Sequence, residues 1–267
     1  GHGYLDLNKA ITESADTYFY QIAYNMGIDR LSDWMQRFGF GLPTGIEIQE
    51  ETAANMPTRE WKQKRYKKPW VLGNPISVGI GQGYWTATPL HVAKATAILV
   101  NNGKVNTPHL LNMIEGATIA PYKDPLLYSD INEPKQAYWD AAKRGMFNVV
   151  NSAAGTGRKA FAGTPYHVAG KSGTAQVFSL KENEKYDASG LKKELHDHGW
   201  FTAFAPYENP RLIVTVILEN AGGGSSNAAP LVRNIMDYYF IQRLPKIEQE
   251  QAKTERRQSN KPAEETE

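Results

Sequence analysis

The sequence predicts an α+β (or α/β) fold in which an antiparallel sheet is flanked by helices. Two observations carry this. Three strand-like runs follow one another in the second half of the chain, at Val168–Val177, Trp200–Ala205 and Leu212–Leu218, the last two separated only by Pro206-Tyr207-Glu208-Asn209-Pro210. Strand, tight connection and strand make a meander. On either side of these runs apolar residues recur at helical spacing, so helices lie before and after the sheet.

The elements follow in order. Residues 6–27 read as helical with a break near Glu13-Ser14-Ala15-Asp16. Leu7, Ala10 and Ile11 keep the spacing before it, and Phe19, Ile22, Ala23 and Met26 after it. Ser14 or Asp16 can cap the second helix, since both side chains accept from free amides at a helix start. Leu31, Trp34, Met35 and Phe38 line a further helix that Gly39 stops. Residues 40–87, rich in Gly, Pro and aromatics and carrying a basic run from Lys62 to Lys68, read as surface loop with short strand pieces. Gly79-Ile80-Gly81-Gln82-Gly83 lacks the strand and the Lys-Ser/Thr ending of a phosphate loop. Close packing of backbone under the next helix accounts for it better.

That helix opens with Thr88 as N-cap and Pro89 in the first turn. Leu90, Ala93, Ala97 and Val100 are its expected buried face, and Asn101-Asn102-Gly103 ends it. A linker with strand candidates runs to about Asn132. Pro134 then starts a helix through Val150, with Ala137, Ala141, Ala142, Met146, Val149 and Val150 inward. Residues 151–164 connect to the first strand, and residues 179–198 read as a polar loop. After the glycine-rich turn at Gly222, Pro230 opens an amphipathic helix whose Leu231, Ile235, Tyr238 and Tyr239 are expected on the sheet. Residues 1–244 form the domain, and 245–267 read as a flexible charged tail, too poor in apolar residues to bury a core.

Composition narrows the function. With 30 basic and 28 acidic residues the net charge is +2, which gives no reason to expect nucleic acid as a partner. The absence of cysteine excludes disulfides, thiolate metal sites and cysteine nucleophiles within these residues. The start, Gly1-His2-Gly3-Tyr4, is neither an initiator methionine nor a signal peptide, so the chain is expected to be a piece of a longer one.

The chemistry concentrates in the first strand. Its middle is Lys171-Ser172-Gly173-Thr174, followed by Ala175-Gln176. Lysine supplies positive charge, the hydroxyls of Ser172 and Thr174 can bind a carboxylate, and Gly173 leaves room beside the strand. A Lys-Ser/Thr-Gly triplet alone arises by chance in roughly one chain in ten of this length. The strand setting and the order of the other motifs raise its weight.

Ser14-Ala15-Asp16 at a helix junction, then Gly81-Gln82-Gly83 with Thr88-Pro89-Leu90, then Lys171-Ser172-Gly173-Thr174 on the first of three C-terminal strands, together resemble one family. The chain up to about Leu244 resembles the transpeptidase domain of class B penicillin-binding proteins, and within them the elongation-specific penicillin-binding protein 2 group most closely. The resemblance implies the penicillin-binding transpeptidase (serine β-lactamase-like) fold, here incomplete at its N-terminus. It implies a D,D-transpeptidase that cross-links peptidoglycan stem peptides by serine acyl transfer from D-Ala-D-Ala. In that reading Ser14 shuttles a proton to the leaving amine and Asp16 holds the network. Lys171 supplies positive potential and orients Ser14. Ser172, Gly173, Thr174 and Gln176 bind substrate, and the Thr174 N–H donates to the oxyanion. Implied partners are stem peptide, β-lactam antibiotics and membrane proteins of an elongation complex, a glycosyltransferase among them. The implied location is a periplasmic domain anchored to the inner membrane.

The sequence departs from the family pattern at two places. Asp16 stands where the general pattern has Asn. No Ser-x-x-Lys precedes Ser14, so the nucleophile is expected upstream of Gly1 and residues 1–267 alone are expected to be inactive. Ser189-Gly190-Leu191-Lys192 matches formally but comes after the strand, in a polar loop. Ser225-Ser226-Asn227 matches Ser-x-Asn, a pattern expected about twice by chance in a chain this long, and also stands out of order. Relatives with a zinc site use a His and a Cys near the second motif. Here His2 is present but the middle residue is Ala15, so no metal and no cofactor is expected. A serine β-lactamase-like hydrolase, or a non-catalytic β-lactam sensor or assembly module, are the alternative readings of the same motifs.

Overall fold

The computed structural model describes residues 2–111, 129–132, 135–177 and 192–259. Its centre is a three-stranded antiparallel sheet of order β1-β2-β3: β1 Ala169–Ala175, β2 His198–Ala205 and β3 Leu212–Leu218. The expected meander is present. In register, Lys171 lies opposite Thr202, and Thr202 opposite Thr215. Because strand side chains alternate, Lys171, Thr202 and Thr215 share one face. Phe201, Ala203 and Val214 point to the other, into a buried core with Val149, Val168, Val232 and Met236.

The N-terminal helices are α1 Leu7–Thr12 and α2 Asp16–Arg37, the latter kinked at Gly27, whose φ of 70° is not helical. The break at 13–16 and the helix with Leu31 are thus as expected. Ala15 is the N-cap of α2 without a side-chain hydrogen bond, so neither Ser14 nor Asp16 caps it. Residues 40–87 differ from the expected loop. They contain α3 Arg59–Tyr66 and α4 Asn74–Val78, with one bridge between Asn55 and Thr86. Within the basic run, Lys62 is buried and donates to Asn74 Oδ1 at 2.5 Å. Thr58 caps α3 through Trp61 N–H, a signal masked by the density of Pro and aromatics around it.

Helix α5, Pro89–Val100, starts at Thr88 as expected, but its inner face is His91, Lys94, Thr96 and Ile98 rather than Leu90, Ala93, Ala97 and Val100. Polar residues can be buried there because carbonyls meet them. His91 Nε2 lies 2.8 Å from Leu42 O, and Lys94 Nζ donates to Thr44 O at 2.8 Å. Helix α6, Gln136–Asn151, buries Trp139, Gly145, Met146, Val149 and Val150, while Ala137 is exposed. The larger indole takes the inward position that small alanine was expected to fill. At Gly145 a side chain would come within 2.7 Å of Ile11, so glycine lets α1 lie directly on α6. Asn148 Nδ2 donates to Asn8 Oδ1 at 2.7 Å across the same contact.

After β3, a wide π-type turn at Gly224–Ala228 leads into α7, Ala229–Asp237, and through Tyr238–Arg243 into α8, Leu244–Ser259. The face of α7 on the sheet is Ala229, Val232 and Met236; Leu231, Ile235 and Tyr238 point outward. The expected face was therefore rotated by one position. Residues after Pro245, read as a flexible tail, are helical through Ser259, and Arg211 pairs with Glu248 at 2.9 Å near the start of α8. Glu, Gln, Lys, Arg and Ala are strong helix formers, which hydropathy alone does not register. None of the described helices is long and apolar enough to cross a membrane.

The Gly224 turn sits against the end of the sheet. A Cβ there would lie 2.0 Å from Trp200 O and 2.3 Å from Gly173 O, both backbone atoms that cannot give way. Gly224→Ala is expected to lower stability by about 1–3 kcal/mol or more, as overpacking against backbone does, read by urea denaturation. Ser226→Ala, which removes one exposed bond to Gly223 O, is the comparison and is expected to cost less than half as much.

Candidate active site

The junction between α1 and α2 delivers Ser14. Ala15 N–H donates to Ala10 O at 2.9 Å and the Ala15 side chain is buried, which locks the turn. Ser14 itself adopts φ 55°, the left-handed region that residues with a Cβ seldom occupy. The turn aims Oγ at the sheet, where Lys171 Nζ donates to it at 2.6 Å. The same ammonium donates to Ser172 O at 2.7 Å. Sheet and helices are thereby joined at one lysine.

Burial pushes the Lys171 ammonium down from its ordinary 10.5 to about 8, and the negative charge of Asp16 partly opposes that shift. Asp16 is exposed in the first turn of α2. It acts on Lys171 through its field, and among the described residues its side chain makes no hydrogen bond.

The other motif residues line the outer edge of β1. Ser172 Oγ is 2.9 Å from Thr156 Oγ1. Thr174 and Gln176 are exposed. Thr174 O accepts from Gln82 Nε2 at 2.9 Å, and Gln176 N–H donates to Gln82 Oε1 at 3.3 Å. In an extended strand the N–H and C=O of one residue point the same way, so the Thr174 N–H also faces this open edge. A side chain at Gly173 would come within 3.2 Å of Trp200 Cβ, so the glycine keeps the strand close to its neighbour as well as clear for a ligand. A cavity of about 680 Å³ lies between this edge and the Gly81–Thr86 loop, lined among others by Gln82, Trp85, Lys171, Thr174, Trp200 and Thr202.

The structure therefore gathers Ser14, Lys171, Ser172, Gly173, Thr174 and Gln176 around one edge, with Asp16 within electrostatic reach. Gln82, quoted in the sequence only as part of the Gly81-Gln82-Gly83 motif and given no role there, joins them, as do Thr156 and Thr202, which the sequence did not single out. Thr202 Oγ1 lies 2.8 Å from Thr215 Oγ1 and 3.3 Å from Thr96 Oγ1, a row of hydroxyls beneath Lys171. A threonine alternating with aromatics on β2 is the signal that could have marked it. Gly79 approaches Ala23 of α2, so the glycine-rich loop packs on α2 rather than under α5. Ser226 and Asn227 bond to Gly223 O and Ala221 O within their own turn. Ser189, Gly190 and Leu191 lie outside the described residues. His2 Nδ1 is 2.6 Å from Glu13 Oε2, and among the described residues no group of three or more His, Asp or Glu could hold a metal.

The lysine makes a titration prediction. Its folded pKa near 8 is below the unfolded value, so between about pH 8 and 10.5 the unfolded chain binds more protons and folding stability rises with pH from this group. Burial pushes Lys94 down to about 8 as well, so NMR of lysine Cε carbons should show two resonances titrating near pH 8. One of them should vanish in Lys171→Met, and the rise in stability across this window should shrink with it.

A family model for the penicillin binding protein transpeptidase domain matches residues 1–237. The peptidoglycan D,D-transpeptidase MrdA of Haemophilus influenzae is 80% identical over 248 residues, which is 93% of this chain and 38% of that protein. MrdA of Escherichia coli K12 is 52% identical over 242 residues, 90% of this chain and 38% of that protein. This chain thus spans well under half the length of these curated relatives. Among solved structures, Pseudomonas aeruginosa PBP2 in complex with WCK 5153 superposes with a TM-score of 0.79 at 41% identity, covering 90% of this chain and 50% of that one. PBP2 of Helicobacter pylori in complex with MreC gives 0.76 at 33% identity, covering 91% of this chain and 41% of that one. With its three-stranded sheet, its Lys171 edge and a match over residues 1–237, the chain belongs to the penicillin-binding protein transpeptidase domain family.

Proposed function

We propose that residues 1–244 form the carboxylate-binding and proton-handling part of a peptidoglycan D,D-transpeptidase that cross-links stem peptides. The observation that carries this is the 2.6 Å bond from Lys171 Nζ to Ser14 Oγ beside the open edge of β1. A serine outside residues 1–267 attacks the carbonyl of the penultimate D-Ala of a donor peptide. A C–O bond forms, the amide C–N bond breaks, and the proton given up by the attacking serine reaches the departing D-Ala amine through Ser14 Oγ. An acceptor amine then takes the acyl group and the serine regains its proton. Lys171, protonated below about pH 8, holds Ser14 and supplies the positive potential for the donor's terminal carboxylate. Ser172 and Thr174 hydroxyls bind that carboxylate, and the outward Thr174 N–H stabilises the oxyanion. Asp16 supports the charge on Lys171, and the Gln176 backbone extends the binding edge.

In the same reading the domain is periplasmic and tethered to the inner membrane, and is a target of β-lactams. It works with membrane proteins of an elongation complex, a glycosyltransferase included. The pairing of Helicobacter pylori PBP2 with MreC is the precedent for such assembly.

The test is covalent labelling by a fluorescent penicillin. The full-length protein carrying this chain should form a stable adduct, and residues 1–267 alone should not. Lys171→Ala in the full-length protein should slow labelling by at least about a hundredfold, the usual scale for losing a preorganised charge. The wild-type rate should fall as pH rises above about 8, where Lys171 loses its proton. Fast turnover of penicillin without adduct would identify a hydrolase instead.

A further inference from the structure

Strand β1 is at the end of the sheet, paired with β2 on one side only among the described residues. Its outward groups include Thr174 N–H, Thr174 C=O and Gln176 N–H. An edge of this kind takes an extended peptide as an added strand, through main-chain hydrogen bonds. Two of those three groups are already engaged by a single side chain. Gln82 Nε2 donates to Thr174 O at 2.9 Å, and Gln82 Oε1 accepts from Gln176 N–H at 3.3 Å. A carboxamide carries one donor and one acceptor side by side, so it satisfies both strand groups at once.

The loop that carries Gln82 does not depend on this contact. Gln82 N–H donates to Ser77 O at 2.9 Å, Thr86 N–H to Asn55 O at 3.0 Å, and Asn55 Nδ2 to Tyr84 O at 2.6 Å. The backbone is held on its own side of the cavity, and only the side-chain torsions of Gln82 need change to free the edge. The two strand bonds are solvent-exposed, where hydrogen bonds contribute little net free energy and exchange readily.

We propose that Gln82 is a placeholder for the donor peptide: its carboxamide fills the Thr174 C=O and Gln176 N–H positions of β1, and the donor's own amide group displaces it when the peptide adds to the edge. This rests on the transpeptidase reading above, because the displacing ligand is the donor of that reaction. Gln82 is thus an internal competitor for the edge: a ligand with an amide N–H and C=O to offer β1 has to displace it, whereas a ligand without that pair leaves it in place.

The test uses the full-length protein and two penicillins. Benzylpenicillin has a 6-acylamino group that can pair with the strand edge, whereas 6-aminopenicillanic acid lacks the amide carbonyl. The readout is the ratio of their second-order acylation rate constants. Gln82→Ala is expected to raise the ratio by about three- to tenfold, the scale of one or two exposed hydrogen bonds removed from competition. Gln82→Glu keeps the acceptor for Gln176 N–H but cannot donate to Thr174 C=O, and is expected to move the ratio the same way by a smaller factor. It also serves if the alanine variant folds poorly. Amide hydrogen exchange supplies the second measurement: without ligand, the Gln176 N–H should exchange more slowly in the wild type than in Gln82→Ala. A ratio that stays constant or falls in folded variants overturns the proposal, as does equal exchange at Gln176. Slow Gln176 exchange in a wild-type protein that neither penicillin acylates would overturn the transpeptidase reading, and the donor as displacing ligand with it.

Discussion

The hydrogen bond from Lys171 Nζ to Ser14 Oγ joins positions 157 residues apart and connects the helical part of the molecule to the sheet. Much of the local architecture exists to keep these two atoms in reach. Alpha1 lies on α6 through the space left by Gly145, α6 packs on β1, and the Ala15 side chain is buried under the turn. The turn holds Ser14 in a left-handed backbone conformation that favours glycine, at a cost of about 1 kcal/mol for a residue with a Cβ. A glycine there would relax the backbone and lose the oxygen. The serine therefore meets two demands that pull in opposite directions, as functional positions often do.

Burial makes Lys171 useful and expensive at once. An ammonium removed from water loses hydration, and its proton becomes easier to lose. The two oxygens it meets, Ser14 Oγ and Ser172 O, are neutral acceptors, and the compensating charge of Asp16 stands off in solvent. A direct ion pair would hold the proton far more tightly. The arrangement instead leaves a cation whose charge state changes near neutral pH and whose field points into the cavity.

The strands were readable because each is a short apolar run bounded by turn residues, and the order of polar motifs around them carried the site. What the sequence concealed has a common cause. The inner face of α5 is polar, and the carbonyls of Leu42 and Thr44, about fifty positions away, meet its His91 and Lys94. Gln82 meets Thr174 across 92 positions, and Thr156 meets Ser172 across a connection with no periodic pattern. Partners brought together by tertiary packing leave no trace in local spacing. For α7 the pattern was visible and the phase was wrong by one residue, since Leu231 and Ile235 are as apolar as Val232 and Met236. For α8, low hydropathy suggested a tail where intrinsic helix preference prevailed.

The open edge of β1 also matters for solubility. Unpaired strand edges invite the strands of other copies, and proteins usually blunt them with charge, bulges or a covering segment. Here the edge has to remain accessible. Its middle is lysine, serine, glycine and threonine, a poor template for a sticky apolar strand, and a glutamine from a neighbouring loop occupies two of its outward backbone groups, Thr174 O and Gln176 N–H. The residues that make the edge a site for one peptide thus also make it unattractive to another molecule of the same protein.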